Sequence, residues 1–212
     1  MRKITPNALG IFSGVIGDVI YGTWKGIPYI RTKPVSISNP RTEAQQSQRA
    51  KFALGIRFLK SFTNFIRTGY RKYAVKKSAF NAALSYLLGN AITGSYSDYR
   101  IDYSRVLVSR GSLTPPVNAQ ASVVGRVVLI SWDGNSTSGS AGSTDKALAI
   151  VINPDYGEAV YKIAGAARSS GMEILDLPPG TTGDQIVVYL GFISDDGEEI
   201  SDSVYVGSVM LP

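Results

Sequence analysis

Between Gly14 and Arg67 the chain changes its period, and that change constrains the fold more than any other feature. The first part, GVIGDVIYGTWKGIPYIR, alternates in the manner of strands: Val19 and Tyr21 flank Ile20, Tyr29 and Arg31 flank Ile30, and Lys25-Gly26 supplies a two-residue turn. The spacing predicts a β-hairpin. Pro28 has no amide hydrogen for a ladder, so the second strand should start near the turn or lie on an edge. Tyr21, Trp24 and Tyr29, with Arg31 beside them, give this hairpin more aromatic surface than two strands can bury between themselves. These four residues are therefore the predicted docking surface, on the chain's own body or on a partner. Pro34 and Pro40 frame an extended arm, because the residue before a proline is driven out of the helical region. Helix chemistry then starts abruptly, with Thr42 and Gln45 in capping-box spacing and Glu43 in the first turn.

From there the apolar positions recur every three or four residues. Phe52, Ile56, Leu59, Phe62 and Ile66 form a broad face, and Arg49, Arg57, Lys60 and Arg67 fall within a sector of roughly 80°. Two readings of the stripe stand side by side: a core helix whose cations snorkel to solvent, or a surface that meets a polyanion. Gly69 predicts a break, after which Arg71, Lys72, Lys76 and Lys77 extend the basic surface. SAFNAALSYLLGNAI predicts a second helix with Phe80, Ala83, Leu84, Leu87, Leu88 and Ala91 on its apolar face. The following Tyr99–Val108 segment reads as a strand that could pair with the hairpin.

Charge divides the chain. Up to Gly111 there are 18 Lys+Arg and 4 Asp+Glu, a balance of +14, whereas Ser112 onward has 4 and 12, a balance of −8. The second half reads as seven short strands, near 119–124, 126–132, 146–152, 159–163, 172–177, 185–193 and 203–210, separated by turn-forming runs such as GNSTSGSAGST and PPGTTG. The sequence thus predicts an α+β protein in two parts: a basic domain of hairpin and helices over 1–111, and an acidic antiparallel β-sandwich over 112–212.

Two resemblances follow from particular residues. Trp132 closing an early strand, then Leu177, Pro179, Gly180 and Tyr189, and the closing SDSVYVG resemble the fibronectin type III fold, which implies a recognition or structural module. The front half, with Tyr29-Ile30-Arg31, Pro34, Asn39-Pro40-Arg41-Thr42, Gln45, Arg49 and Phe52, and downstream IDYSRVLVSRGSL, is similar to a family of uncharacterised bacterial and phage-associated proteins. That resemblance implies a virion or prophage context and no established activity.

Chemistry is sparsely provided. With no cysteine and no histidine, thiolate nucleophiles, disulfides, thiolate-zinc sites and the usual neutral-pH general base are all missing. The glycines of GVIGDVIYG lack phosphate-loop spacing, Asp195, Asp196, Glu198 and Glu199 lack calcium-loop spacing, and Asp98 with Asp102 suits strand or turn structure better than a carboxylate dyad. No enzyme, cofactor, metal or small-molecule site is expected. Pro6, Asn7 and Gly10 interrupt the opening apolar run, so the sequence predicts cytosolic synthesis without a signal peptide or membrane span. The reading that results is a structural assembly protein docking on further copies or other particle subunits; the alternative is nucleic-acid binding by the basic helices.

Overall fold

The computed structural model describes residues 2–3, 13–24, 27–36, 41–134, 137–180 and 182–212. The chain is mixed α+β and separates into two compact units, Met1–Thr42 and Glu43–Pro212. The expected boundary at 111/112 falls inside the second unit.

In the first unit β3 (Val19–Trp24) and β4 (Ile27–Thr32) form the expected hairpin, its turn residues 25–26 lying outside the described residues. It is flanked on both sides. β1 (Arg2–Lys3) pairs with β4 and β2 (Gly14–Ile16) with β3, giving a four-stranded antiparallel sheet in the order β1-β4-β3-β2.

The second unit opens with α1 (Glu43–Lys60), which places Thr42 at the N-cap position as the sequence predicts. The helix stops nine residues before Gly69, however. Phe62 leaves helical geometry, Thr63 Oγ1 donates to the Lys60 carbonyl at 3.0 Å, and a separate α2 (Thr63–Gly69) follows. Its buried face also differs from the expected one: Gly55, Phe58 and Leu59 are buried, whereas Phe52 and Ile56 are 48% and 42% exposed. The reason is the bare Cα of Gly55, where an added Cβ would lie 2.8 Å from Leu84, so that α1 approaches α3 (Ala79–Asn90) along this line. Ser78 caps α3 by accepting from the Asn81 amide at 3.1 Å. The segment after α3 pairs with itself: β5 (Ile92–Ser95) and β6 (Asp98–Ile101) make a small hairpin, and Tyr103–Arg105 is a 3₁₀ turn where the sequence suggested continued strand.

All seven strands of the back half form within a few residues of their expected limits. β7 (Val117–Val124), β8 (Val127–Asp133) and β11 (Met172–Asp176) make one antiparallel sheet in the order β11-β8-β7. The strands β9 (Lys146–Asn153), β10 (Glu158–Lys162), β12 (Gln185–Ile193) and β13 (Val204–Met210) make the other, in the order β10-β9-β12-β13. Alternate residues Val128, Ile130, Trp132, Ala149, Val151, Val188, Leu190 and Phe192 fill the space between the sheets.

The opposite face of β9 and β12 is buried too. Leu148, Ile150, Ile152, Val187, Tyr189 and Ile193 share a second core with Phe58, Phe62, Phe65, Ile66 and Leu87 of the helices. The order of layers is therefore helices, four-stranded sheet, three-stranded sheet, and the basic helices and the acidic strands are one body. Residues 107–113 lace the layers together. Val108 N donates to Ser203 Oγ (2.9 Å), Ser109 Oγ to the Ser201 carbonyl (3.0 Å), Gly111 N to Asp202 (2.9 Å) and Leu113 N to the Ile200 carbonyl (3.0 Å). The three serines are buried and fully paired.

Candidate docking surfaces

In the N-terminal sheet the register decides which side chains share a face. Gly22 pairs with Tyr29 and Ile20 with Arg31, so Tyr29 and Arg31 lie on one face; Tyr21, paired with Ile30, lies on the other. The predicted docking group is thus divided. Tyr21 and Tyr29 are half-buried, Arg31 is exposed, and the side chain of Trp24 lies outside the described residues. Tyr29 covers the bare Cα of Gly22, where an added Cβ would come within 2.9 Å of the phenol ring. Val15, Ile16 and Ile27 are 58%, 62% and 41% exposed. Among the described residues of this unit none is buried, although both faces of the sheet carry apolar side chains.

The basic residues separate likewise. Arg49, Arg57 and Lys60 are exposed on α1, but Arg67 stands on α2, where it donates to Asn64 Oδ1 at 3.2 Å. The single stripe expected of one long helix is broken by the turn at Ser61–Phe62. Arg71 and Lys72 stay exposed and pair with the molecule's own acid: Arg71 meets Glu198 at 3.8 Å and Lys72 meets Glu199. The acidic turn thus carries counter-charge for the basic cluster, and hydrogen bonds from Lys72 and Ser112 hold the Glu199 carboxyl below its usual value. Lys76 and Lys77 are exposed in the loop before α3. Arg57 and Lys60 border two adjoining grooves of about 460 and 540 Å3 that share Arg57, Pro154 and Asp155; Tyr99 and Tyr103 line the first, Tyr156 and Glu158 the second.

Other polar groups have structural partners. Asp98 pairs with Arg100 at 3.1 Å, and Asp102 accepts from the Ser104 amide at 3.1 Å. The phenols of Tyr70 and Tyr189 donate to the Leu107 and Tyr103 carbonyls at 2.9 and 2.8 Å, and burial pushes both far above the ordinary tyrosine range. Among the described residues no group of three or more acidic side chains is arranged to hold a metal, and no helix is long and apolar enough to cross a membrane.

Two buried ionic sites were not evident in the sequence. Arg168 is completely buried between the sheets: Nε donates to Asp145 at 3.0 Å, Nη2 to the Thr114 carbonyl at 2.7 Å, and the guanidinium lies 3.7 Å from the Phe192 ring centroid. Burial lowers its pKa and Asp145 offsets that in part. The Arg168 carbonyl in turn accepts from Trp132 Nε1 at 2.8 Å. Glu173 is buried on β11 and accepts from Lys162 and the Ile174 amide, both at 2.9 Å, and from the Ala166 amide. Burial alone would raise its carboxyl, but these hydrogen bonds outweigh it and leave the pKa lowered. The one sequence hint is the run of small residues around Arg168, Gly165–Ala167 and Ser169–Gly171, which lets backbone close around a guanidinium.

Fold and surfaces define a class: a layered α+β body with two facing β-sheets, preceded by a separate unit, a four-stranded sheet with no buried residue among those described. The chain belongs to the family described as a family of unknown function (DUF6266), whose profile matches residues 11–207. No curated protein and no solved structure matches it.

Proposed function

We propose that this chain is a non-enzymatic assembly protein whose first 42 residues dock on a partner subunit. The observation that carries the reading is the N-terminal sheet, in which no described residue is buried although Val15, Ile16, Val19, Ile20, Ile27 and Ile30 are apolar. An apolar sheet gains its stability by covering a face, and the described residues of this unit supply no layer with which to do so. Its charge suits the same role: residues 1–42 contain six Lys+Arg and one Asp+Glu, a balance of +5, so they carry most of the chain's +6. The body is the support. Its division of seven strands, with the first, second and fifth in one sheet and the others in the second, supports the fibronectin type III-like reading and with it a recognition or scaffold role.

Hydrogen exchange on the chain at high dilution tests the proposal. Amides of residues 13–36 should exchange rapidly in the monomer and slow down on assembly. Strong protection in a chain shown by sedimentation to be monomeric would mean that the sheet is completed within the molecule, and the reading would fail.

The grooves beside α1 favour one second reading. Arg57 and Lys60 interleave there with Tyr99, Tyr103 and Tyr156, the combination of cation and stacking platform that single-stranded nucleic acid uses. Asp155 and Glu158 in the same grooves oppose it. If phosphates bind, removing Arg57 or Lys60 should flatten the slope of log affinity against log salt by about 0.7 each.

A further inference from the structure

The three-stranded sheet has one face in the core and one face outward, and the outward face is unusual in composition. Register fixes its rows: Met172 lies beside Ser131, Ile174 beside Leu129, and Asp176 beside Val127, with β7 continuing each row on the other side. Met172 and Ile174 are each 46% exposed and Val124 is 58% exposed, while Leu129 and Val127 between them are half-buried. Neighbouring strands lie about 4.8 Å apart and same-face residues about 6.8 Å apart, so each position covers roughly 33 Å2 and the five apolar positions, Val124, Val127, Leu129, Met172 and Ile174, span on the order of 165 Å2, interleaved with Gln120, Ser122 and Ser131. A standard interface covers about 800 Å2 per partner, so these five form the apolar centre of a larger contact.

Charge selects the occupant. The outward positions of β7, β8 and β11 include Asp133 and Asp176 and no Lys or Arg. This face lies on the far side of the sandwich from the basic helices, with Arg126 of the β7–β8 turn at its border beside Asp176. An apolar centre with an acidic rim fits a partner that is apolar and basic. The N-terminal unit has that chemistry, with Val15 and Ile27 exposed on the same face as Arg31 and a balance of +5.

We propose that the outward face of the three-stranded sheet receives the N-terminal unit of a second copy of this chain, forming a head-to-tail contact. This deepens the docking reading by naming the partner and its surface. Donor and acceptor are different surfaces, so each copy is left with one of each and the assembly extends to a ring or filament. The rim is electrostatic and association should weaken as salt rises.

The test uses two full-length variants at exposed positions, with circular dichroism confirming that both stay folded. Val15→Glu damages the donor and Ile174→Lys the acceptor. Light scattering after size exclusion should show the wild-type chain associating at low salt, each variant at least about tenfold weaker, and an equimolar mixture forming a 1:1 dimer that does not extend, because one variant keeps only its acceptor and the other only its donor. A wild-type chain that stays monomeric at roughly 100 μM, well above the Kd of even a weak specific interface, overturns the proposal, as does a mixture that stays monomeric. Assembly by Ile174→Lys as strong as wild type also overturns it. If Val15→Glu is then monomeric, the arm docks elsewhere and the docking reading survives; the hydrogen-exchange result in the dilute monomer judges that reading separately.

Discussion

Removing residues 1–111 should leave a chain that does not fold. The sequence alone suggests the opposite, since the seven strands, Trp132 and the acidic balance all lie within 112–212. The structure shows what is lost with the helices: Leu148, Ile150, Ile152, Val187, Tyr189 and Ile193 are at most 6% exposed in the complete molecule and would lose their cover. At about 1.5–3 kcal/mol per fully buried apolar side chain, six of them represent about 9–18 kcal/mol. Reducing that by about a third for a compact unfolded state still leaves about 6–12 kcal/mol, comparable with the entire stability of a domain, about 5–15 kcal/mol. The bonds from Val108, Ser109 and Gly111 to residues 201–203, just before β13, would be lost as well. The assay is urea denaturation followed by circular dichroism on residues 112–212 and, as control, 43–212, which keeps every layer. A sigmoidal transition with a normal m-value in 112–212 would refute the argument and establish the sandwich as autonomous.

Arg168→Met should cost about 3–5 kcal/mol, because it leaves Asp145 buried without its cation; a loss below about 1 kcal/mol, read by Trp132 fluorescence in a Trp24→Phe background, would show that the pair is not a structural element. Gly69→Ala should destabilise by about 1–3 kcal/mol despite the roughly 1 kcal/mol gained in helix propensity, since the new Cβ would lie 2.6 Å from the Val108 carbonyl oxygen, a backbone atom with little freedom to move; thermal unfolding of residues 43–212 measures it. Glu173 has a lowered pKa, so its contribution to stability is full above the ordinary glutamate range and fades as pH falls through the lowered value; Lys162→Met should reduce that acid-range dependence, and parallel stability-pH curves for the two proteins would contradict the assignment.

Much of this architecture was legible because it is local. The period change at Pro40–Thr42 locates the start of α1, Ser78 and the apolar repeat locate α3, and Gly/Pro/Ser runs bound every strand of the back half. What escaped was what depends on the third dimension. Gly55 is a mid-helix glycine in sequence but a contact point with Leu84 in the fold, and it turns the buried face of α1 away from Phe52 and Ile56. The docking residues Tyr21 and Tyr29 were grouped by chemistry, whereas strand parity places them on opposite faces. One overlooked signal was available. β9 and β12 read ALAIVI and QIVVYLGFI, continuous apolar runs without alternation, which is the mark of strands buried on both faces; the other layer had to be the helices.

That second buried face changes what the charge asymmetry means. A basic half and an acidic half in separate domains would make a dipole available to other molecules. In one body they compensate each other: Arg71 and Lys72 meet Glu198 and Glu199, and residues 43–212 hold 16 Lys+Arg against 15 Asp+Glu, a balance of +1. The unit left with an uncompensated charge is the N-terminal sheet at +5, which is also the unit without a buried residue among those described. Electrostatic attraction at a distance of several Debye lengths is negligible at physiological salt, so that charge acts only once its sheet is near an acidic surface. Apolar cover then supplies the stability, and the charge selects where the cover is found.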